Sequence, residues 1–462
     1  MDHADNRRGR RSPHGASSRE VRVKPGGPGA RADLSASMHS TKSPMFSERV
    51  MEDVCERENL KRALKRVIQN KGSAGVDGMT VEELPGYLKE NWLRIKEELL
   101  KGVYRPKPVK RVEIPKPGSR EKRKLGIPCV LDRFVQQALL QVLQVKWDKT
   151  FSEHSYGFRP KRSAHQAIAK AQAYIQEGYG YVVDLDLEKF FDRVCHDRLM
   201  SRLATEIEDK RVLKLIRSYL QAGILENGLV HVPTEGTPQG GPLSPFLSNV
   251  VLDELDRELE ARGHRFVRYA DDLNLYVKSK RAGERVMESI SRYITNRLKL
   301  KVNAAKSAVD VPPKLGFLGF TFTGGKQPNR RKIADKSLKR FKARVRQITR
   351  RNRGISIQDM INRLNQFLTG WIGYFKYCET PSVFRDSDSW IRRRLRCVQW
   401  KQWKIFKKRR AELMKLGVNE KLAATTAFCP DGPWYMSHTP GVRIALNNNH
   451  FDSLGLVRLM AY

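Results

Sequence analysis

Phe266-Val267-Arg268-Tyr269-Ala270-Asp271-Asp272-Leu273-Asn274-Leu275-Tyr276-Val277 decides the fold of this chain. Two short runs that alternate like strands flank Tyr269-Ala270-Asp271-Asp272, which predicts a tight hairpin with adjacent carboxylates at its tip. Like charges side by side on a turn are costly unless neutralised, and a divalent cation that prefers hard oxygen ligands, such as Mg2+, neutralises them. Taken alone, the motif also fits a solvated Asp-Asp turn. A second acidic stretch is Tyr181-Val182-Val183-Asp184-Leu185-Asp186-Leu187-Glu188. Its period of two places Val183, Leu185 and Leu187 on one face and Asp184, Asp186 and Glu188 on the other. The plain alternative is an exposed edge strand. A carboxylate from this strand beside the hairpin pair would instead make a three-carboxylate site able to hold two Mg2+ ions roughly 4 Å apart. Such a site lowers the pKa of an attacking hydroxyl and stabilises a leaving pyrophosphate.

Composition points to the partner. The 462 residues carry 88 Lys and Arg against 50 Asp and Glu, a formal net charge of +38. An excess of this size calls for a polyanion, nucleic acid above all. It also makes the gathering of acids on two strands more telling. The six cysteines are scattered without a C-x-x-C pair, which argues against a disulfide framework and a zinc ribbon. No apolar run is long enough to span a bilayer, and the first residues lack the apolar core of a secretion signal. The chain therefore reads as intracellular, with no membrane partner.

Residues 1–45, rich in Gly, Pro, Ser and Arg, read as a disordered basic leader. An amphipathic helix around Leu60, Leu64 and Val67 ends at a small-residue loop, 72–78, that would let backbone approach phosphates or simply turn. A helix is expected over 84–100. A proline-studded basic strand pair, 105–116 and 120–128, follows; its cations either hold a triphosphate or face solvent. An apolar helix over 131–145 leads to Tyr156-Gly157-Phe158-Arg159, which suits stacking on a nucleotide or a buried aromatic turn. Phe190-Phe191 lies just after the acidic strand, where Phe191 either packs under a sugar and excludes a 2′-hydroxyl or belongs to the core. Gly236-Thr237-Pro238-Gln239-Gly240-Gly241 opens a helix whose N-terminus would offer N–H groups to phosphate or base. Beyond the Asp-Asp hairpin we expect a helix over 284–298, a strand over 300–302 with Lys306 just after it, and a hairpin over 315–322.

The remainder changes character. Leu338, Phe341, Val345 and Ile348 recur at helical spacing among cations, and a second such helix is expected over 390–410 with Trp400 and Trp403 among its cations. Between them, 367–375 reads as a packed helix contact. Acids are nearly absent, so these faces repel themselves until an anion arrives, and the region reads as a helical domain that grips a duplex or structured RNA. The tail around Asp431 to Asp452 reads as loop-like with local aromatic anchors.

In this order, the 72–78 loop, Ile114-Pro115-Lys116, Tyr156-Gly157-Phe158-Arg159-Pro160, Asp186-Leu187-Glu188-Lys189-Phe190-Phe191-Asp192, the 236–245 segment, Tyr269–Asp272 and 316–320 form a specific set. Over roughly residues 50–410 the chain resembles a group II intron-encoded protein, a bacterial reverse transcriptase and maturase. The resemblance implies an α+β right-hand polymerase with an antiparallel palm sheet, followed by an all-α basic thumb or maturase domain. The boundaries expected are fingers and palm over 46–325, the RNA-binding thumb over 326–415, and a short C-terminal tail over 416–462.

It further implies copying of intron RNA into DNA, help in splicing and mobility of that RNA, and a cytoplasmic ribonucleoprotein. Its partners would be group II intron RNA, a DNA primer or target, and dNTPs; oligomeric state stays open. Carried over by position, Asp186, Asp271 and Asp272 would be catalytic ligands of two Mg2+ ions, with Asp184 ranked second. Lys116 and Arg123 would hold the incoming triphosphate, Gln239 would contact the nucleotide, and Phe191 would gate the sugar. Lys306 would lie near the primer. No endonuclease domain is expected, because the sequence after the thumb lacks paired cysteines and a His-rich cluster. Two other readings stand beside this one: an RNA-binding splicing factor with a vestigial polymerase site, and a retron or diversity-generating type of reverse transcriptase. Retention of mutually repelling acids speaks against the first.

Overall fold

A computed structural model describes residues 44–115, 122–226, 229–232, 234–237 and 239–461. Residues 1–43 of the expected leader and Lys116 lie outside these residues. In chain order the strands are β1 (Val109–Pro115), β2 (Lys122–Ile127), β3 (Tyr181–Asp186), β4 (Ile224–Glu226), β5 (Leu229–His231), β6 (Arg265–Tyr269), β7 (Asp272–Val277), β8 (Ala308–Asp310), β9 (Phe320–Phe322) and β10 (Arg331–Ile333).

The sheet that carries the acids runs β6-β7-β3-β8 and is antiparallel throughout. Period-two alternation sorts its side chains. Val183, Leu185, Phe266, Leu273, Leu275 and Val277 join the large core under helix Ser244–Ala261. On the opposite face Val182, Val267 and Tyr276 pack with helix Ala164–Gln176 in a smaller core. Both faces are covered at one end, and Asp184 and Asp186 emerge where the second covering stops. The strand ends at Asp186, so Glu188 is not the third acid of a row as the alternation predicts. It lies past the strand, paired with Lys301 at 3.0 Å and Arg193 at 3.2 Å.

A second sheet, ordered β2-β1-β4-β5, carries the expected basic hairpin on its edge. Helix Leu84–Leu100 has the predicted bounds. The glycine loop before it has a packing reason: a Cβ on Gly75 would stand 2.6 Å from Cys129 Cα. The helix expected over 284–298 begins earlier, at Lys280, because the Ser279 hydroxyl caps it by accepting from the Ala282 N–H. No strand forms over 300–302; Val302 makes a lone bridge to Leu187, and the fourth strand of the acidic sheet is β8. The 315–322 run turns at Leu318-Gly319, and its outgoing arm, β9, pairs with β10.

From Asp335 the chain is helical. Helices Asp335–Ile348, Ile357–Phe375 and Ser382–Gln402 share a core that includes Phe341, Trp371 and Trp400. Two expectations fail here. The long helix over 390–410 is two helices, Ser382–Gln402 and Phe406–Lys415, broken at Lys404, whose φ is +44°. Trp400 and Trp403 on either side of the helix end are both buried in the core. The tail is not loop-like either: Glu420–Phe428, Pro433–Met436, Pro440–Ala445 and Asn448–Ser453 are helices. Ala423, Met436, Val442, Leu446 and Phe451 belong to the same core as the preceding helices.

Candidate active site

β6 and β7 pair Tyr269 with Asp272, which leaves Ala270-Asp271 as a two-residue turn. Ala270 takes φ +58°, a left-handed conformation that a residue with a Cβ adopts only when its surroundings impose it. The surroundings here are specific. Arg268 has the parity of Phe266 and therefore points at helix Ser244–Ala261, where it is 1% exposed. Its Nε and Nη2 donate to Asp256 Oδ1 and Oδ2 at 2.7 and 2.5 Å. Its Nη1 donates to the Ala270 carbonyl at 2.9 Å and to Asn249 Oδ1 at 3.0 Å. Asn249 in turn donates to the Gly157 carbonyl at 2.9 Å. A buried ion pair thus grips the acidic turn from beneath. Burial pushes the Asp256 carboxyl up, and the Arg268 guanidinium opposes that shift.

The 154–157 segment runs alongside β6: the Arg268 N–H donates to the His154 carbonyl and the Tyr156 N–H to the Arg268 carbonyl, both at 2.9 Å. A Cβ on Gly157 would lie 2.2 Å from the Ala270 nitrogen, so only glycine fits behind the turn. Of the two readings of Tyr156–Arg159, the buried turn holds for Tyr156 and for Arg159, which pairs with Asp148 at 2.8 Å. Phe158 is exposed.

Across the sheet, Asp186 stands directly opposite Asp272, and Asp184 opposite Asn274. The Asn274 amide, turned so that its nitrogen faces the acid, donates to Asp184 Oδ1 at 2.9 Å. Asn303 Nδ2 donates to Asp186 Oδ2 at 3.0 Å, and Lys306 Nζ lies 3.7 Å from the same oxygen. Lys306 therefore reaches the acidic site. Burial, then the charges of Asp272 and Asp186, push the Asp184 carboxyl up to about 7. Asp272 is pushed up to about 6, first by burial and then by the Asp271 and Asp186 charges. Asp271 is raised as well, first by burial, with Asp186 adding to it. The Arg123 guanidinium pulls both hairpin acids the other way.

Phe191 and Gln239 come together elsewhere in the same region. They line a cavity of about 430 Å3 with Arg111, Lys124 and Thr237. None of the three carboxylates lines it. The Phe191 carbonyl accepts from the Thr237 N–H at 2.6 Å, and the Gly126 N–H donates to the Gln239 carbonyl at 2.8 Å. These bonds pin the glycine-rich segment between the acidic strand's exit and β2. The Gly236 N–H is likewise spent on the Val194 carbonyl at 2.8 Å, so it is not free for a phosphate. Phe191 is half-buried, edge-on to Phe190 with centroids 5.3 Å apart. Lys116 is outside the described residues. Among those residues no three His, Cys, Asp or Glu side chains already converge at metal-binding spacing.

Three residues escape the sequence reading: Arg268, Asp256 and Asn303. A signal existed for two of them. Arg268 shares the parity of an apolar face, and Asn249, Asp253 and Asp256 recur at helical spacing along a largely apolar helix. Asn303 carries no such mark.

Residues 114–322 match the family described as reverse transcriptase (RNA-dependent DNA polymerase), and residues 338–417 match the group II intron maturase-specific domain. The chain belongs to the group II intron-encoded reverse transcriptase family. Protein YkfC of Escherichia coli is 33% identical over 329 residues, covering 63% of this chain and 85% of that protein. The group II intron-encoded protein LtrA of Lactococcus lactis is 29% identical over 323 residues, 56% of this chain and 54% of LtrA, so the match spans about half of that relative. Among solved structures, a chain of a partial Cas6-RT-Cas1–Cas2 complex gives a TM-score of 0.35 at 24% identity over 54% of this chain and 42% of that one. No described helix is long and apolar enough to cross a membrane.

Proposed function

We propose that the chain is the RNA-directed DNA polymerase of a group II intron, copying intron RNA into DNA and assisting its splicing and mobility. The observation that carries this reading is the placement of Asp186 opposite Asp272, with Asp271 in the adjoining turn. In this assignment 46–325 forms fingers and palm and 326–415 the thumb, with 416–461 packed against it.

The donor set fits Mg2+. Three hard carboxylates gather there, two of them lifted in pKa by burial and by neighbouring acids, and Lys306 offsets only part of their charge. Two Mg2+ ions bound there would lower the pKa of a primer 3′-hydroxyl and neutralise the departing pyrophosphate. The chain's own residues do the rest. Arg268 and Gly157 fix the turn that carries Asp271 and Asp272. Asn303 and Lys306 orient Asp186. Arg123 and Lys116 would take the triphosphate, Gln239 the nucleotide and Phe191 the sugar. Cytoplasmic action as a ribonucleoprotein with the intron RNA completes the reading.

Primer extension on an RNA template with Mg2+ and dNTPs, beside the Asp271→Asn, Asp272→Asn chain, tests it. Extension by the parent alone is expected. Extension by neither, with tight RNA binding kept, would return the chain to the splicing-factor reading.

A further inference from the structure

The break at Lys404 creates a feature that neither the polymerase site nor the core explains. It folds helix Phe406–Lys415 back so that the Arg409 guanidinium lies over the Trp400 ring, 4.6 Å from its centroid. Arg409 then faces the same hollow as Arg394 and Lys401 from the preceding helix, Arg350 and Arg351 from the turn after helix Asp335–Ile348, and Lys404 itself. The hollow measures about 820 Å3, and its remaining lining is Asn352 and Pro433. No acid lines it, and among the described residues none of the six cations forms an ion pair. Arg409 Nε and Trp400 Nε1 are buried without a hydrogen-bond partner. Arg394 is held in place by donating from Nε to Thr349 Oγ1 at 2.6 Å.

Six converging cations repel one another, and the arrangement is relieved by an anion with several charges in a row. The rim adds a second chemistry. Trp434, next to Pro433 and 45% exposed, stacks with Arg393 at 4.0 Å. Phe406, two residues past Lys404, stands edge to face with Phe428 at 6.1 Å, and Phe428 is 80% exposed. Exposed rings beside a cationic hollow suit a strand whose bases are free to stack, which a duplex does not offer. Part of this rim lies beyond residue 417, past the span of the maturase-specific match.

We infer that the hollow between Arg351, Arg394, Lys404 and Arg409 is a binding site for single-stranded polynucleotide, phosphates inside and bases on Trp434 and Phe428. The inference does not depend on the polymerase reading. The shared chemistry is a phosphodiester backbone with unpaired bases, and RNA and DNA are its two sources.

The test is fluorescence anisotropy with labelled 12-nucleotide oligo(U) and oligo(dT) and a 12-base-pair duplex. The full chain is compared with Arg350→Glu, Arg351→Glu, Lys404→Asn, all at exposed positions, with Asn chosen because it tolerates the left-handed turn. Single-strand affinity should fall at least tenfold. The slope of log affinity against log salt should flatten by about 2, from three lost contacts at about 0.7 each. Trp434→Ala should cost single strands about fivefold or more and spare the duplex. Loss confined to oligo(U) or to oligo(dT) supports the site and names its source. Unchanged single-strand affinity in a variant that melts like the parent overturns the inference. So does equal weakening of the duplex, or equal competition by poly-glutamate. Repeating the binding in the Asp271→Asn, Asp272→Asn chain separates this site from the polymerase: pocket-dependent binding should persist there.

Discussion

Asp186 and Asp272 face each other as partners on neighbouring antiparallel strands. Like charges directly opposed in a sheet destabilise it. Lys306 lies 3.7 Å from Asp186, and Asp272 sits at a raised pKa of about 6, first through burial and then through the Asp271 and Asp186 charges. The fold therefore holds these carboxylates against its own stability. Asp272→Asn should raise the stability of the metal-free protein by about 0.2–1 kcal/mol, the range for cross-strand pairs, while abolishing extension. Melting in a chelating buffer checks the first half. A variant that melts below the parent there would show that the pair is not repulsive as held.

Arg268 ties three things together: the acid Asp256, the turn carbonyl of Ala270, and through Asn249 the Gly157 strand. Removing it alone, as Arg268→Met, leaves Asp256 buried and uncompensated, a loss of about 3–5 kcal/mol. Adding Asp256→Leu should recover most of that stability, because an apolar pair can replace a buried ion pair. Extension should stay low in the double variant, since the Ala270 carbonyl still lacks its donor. Denaturant unfolding and single-turnover extension read the two effects apart. Recovery of both together would make Arg268 a stability element and nothing more.

The palm sheet was legible because its two signals are local. Alternation through Val183 and Leu185 sets the face of β3, and a two-residue connection between Tyr269 and Asp272 sets the hairpin register. The site's supports were less so. Arg268 in a chain of 88 cations draws no notice, and its partner Asp256 lies on a helix whose position against the sheet is a tertiary fact. The Lys404 break was illegible for a related reason. Lysine favours helix, so position 404 carries no stop signal, and the burial of Trp400 and Trp403 beside it is a tertiary fact. The tail's helices, such as the four-residue Pro433–Met436, are too short to show a period.

Asp132 offers a pH-dependent prediction away from the acidic site. It is buried, accepts from the Tyr104 hydroxyl at 2.8 Å and the Lys107 N–H at 3.2 Å, and is pushed up to about 6, chiefly by burial. A carboxyl with a raised folded pKa favours the protonated fold. Its contribution is full below the unfolded value near 4 and is lost as pH rises through about 6. At 1.36 kcal/mol per pKa unit the change is on the order of 3 kcal/mol. Asp132→Asn removes this slope, so the variant should gain on the parent between pH 4 and pH 7. Chemical denaturation at several pH values measures it, and a difference that stays flat would remove burial as the cause.

Phe191 has two readings that one pair of measurements separates. Its ring lines the 430 Å3 cavity beside Gln239 and is only half-buried, with Phe190 rather than Phe191 fully inside. A sugar gate works by occupying the space a 2′-hydroxyl needs, so Phe191→Ala should admit ribonucleotides. Steric discrimination in a pocket is worth about 1–3 kcal/mol, or 10- to 200-fold in kcat/KM, and the ratio of rNTP to dNTP use should rise within that range. A core role makes the opposite forecast. Truncating a core phenylalanine costs about 3–5 kcal/mol of stability and leaves sugar preference alone. Partial exposure argues for the smaller stability loss, and the orientation toward the cavity for the change in selectivity. A variant that melts far below the parent yet still rejects ribonucleotides would return Phe191 to the core.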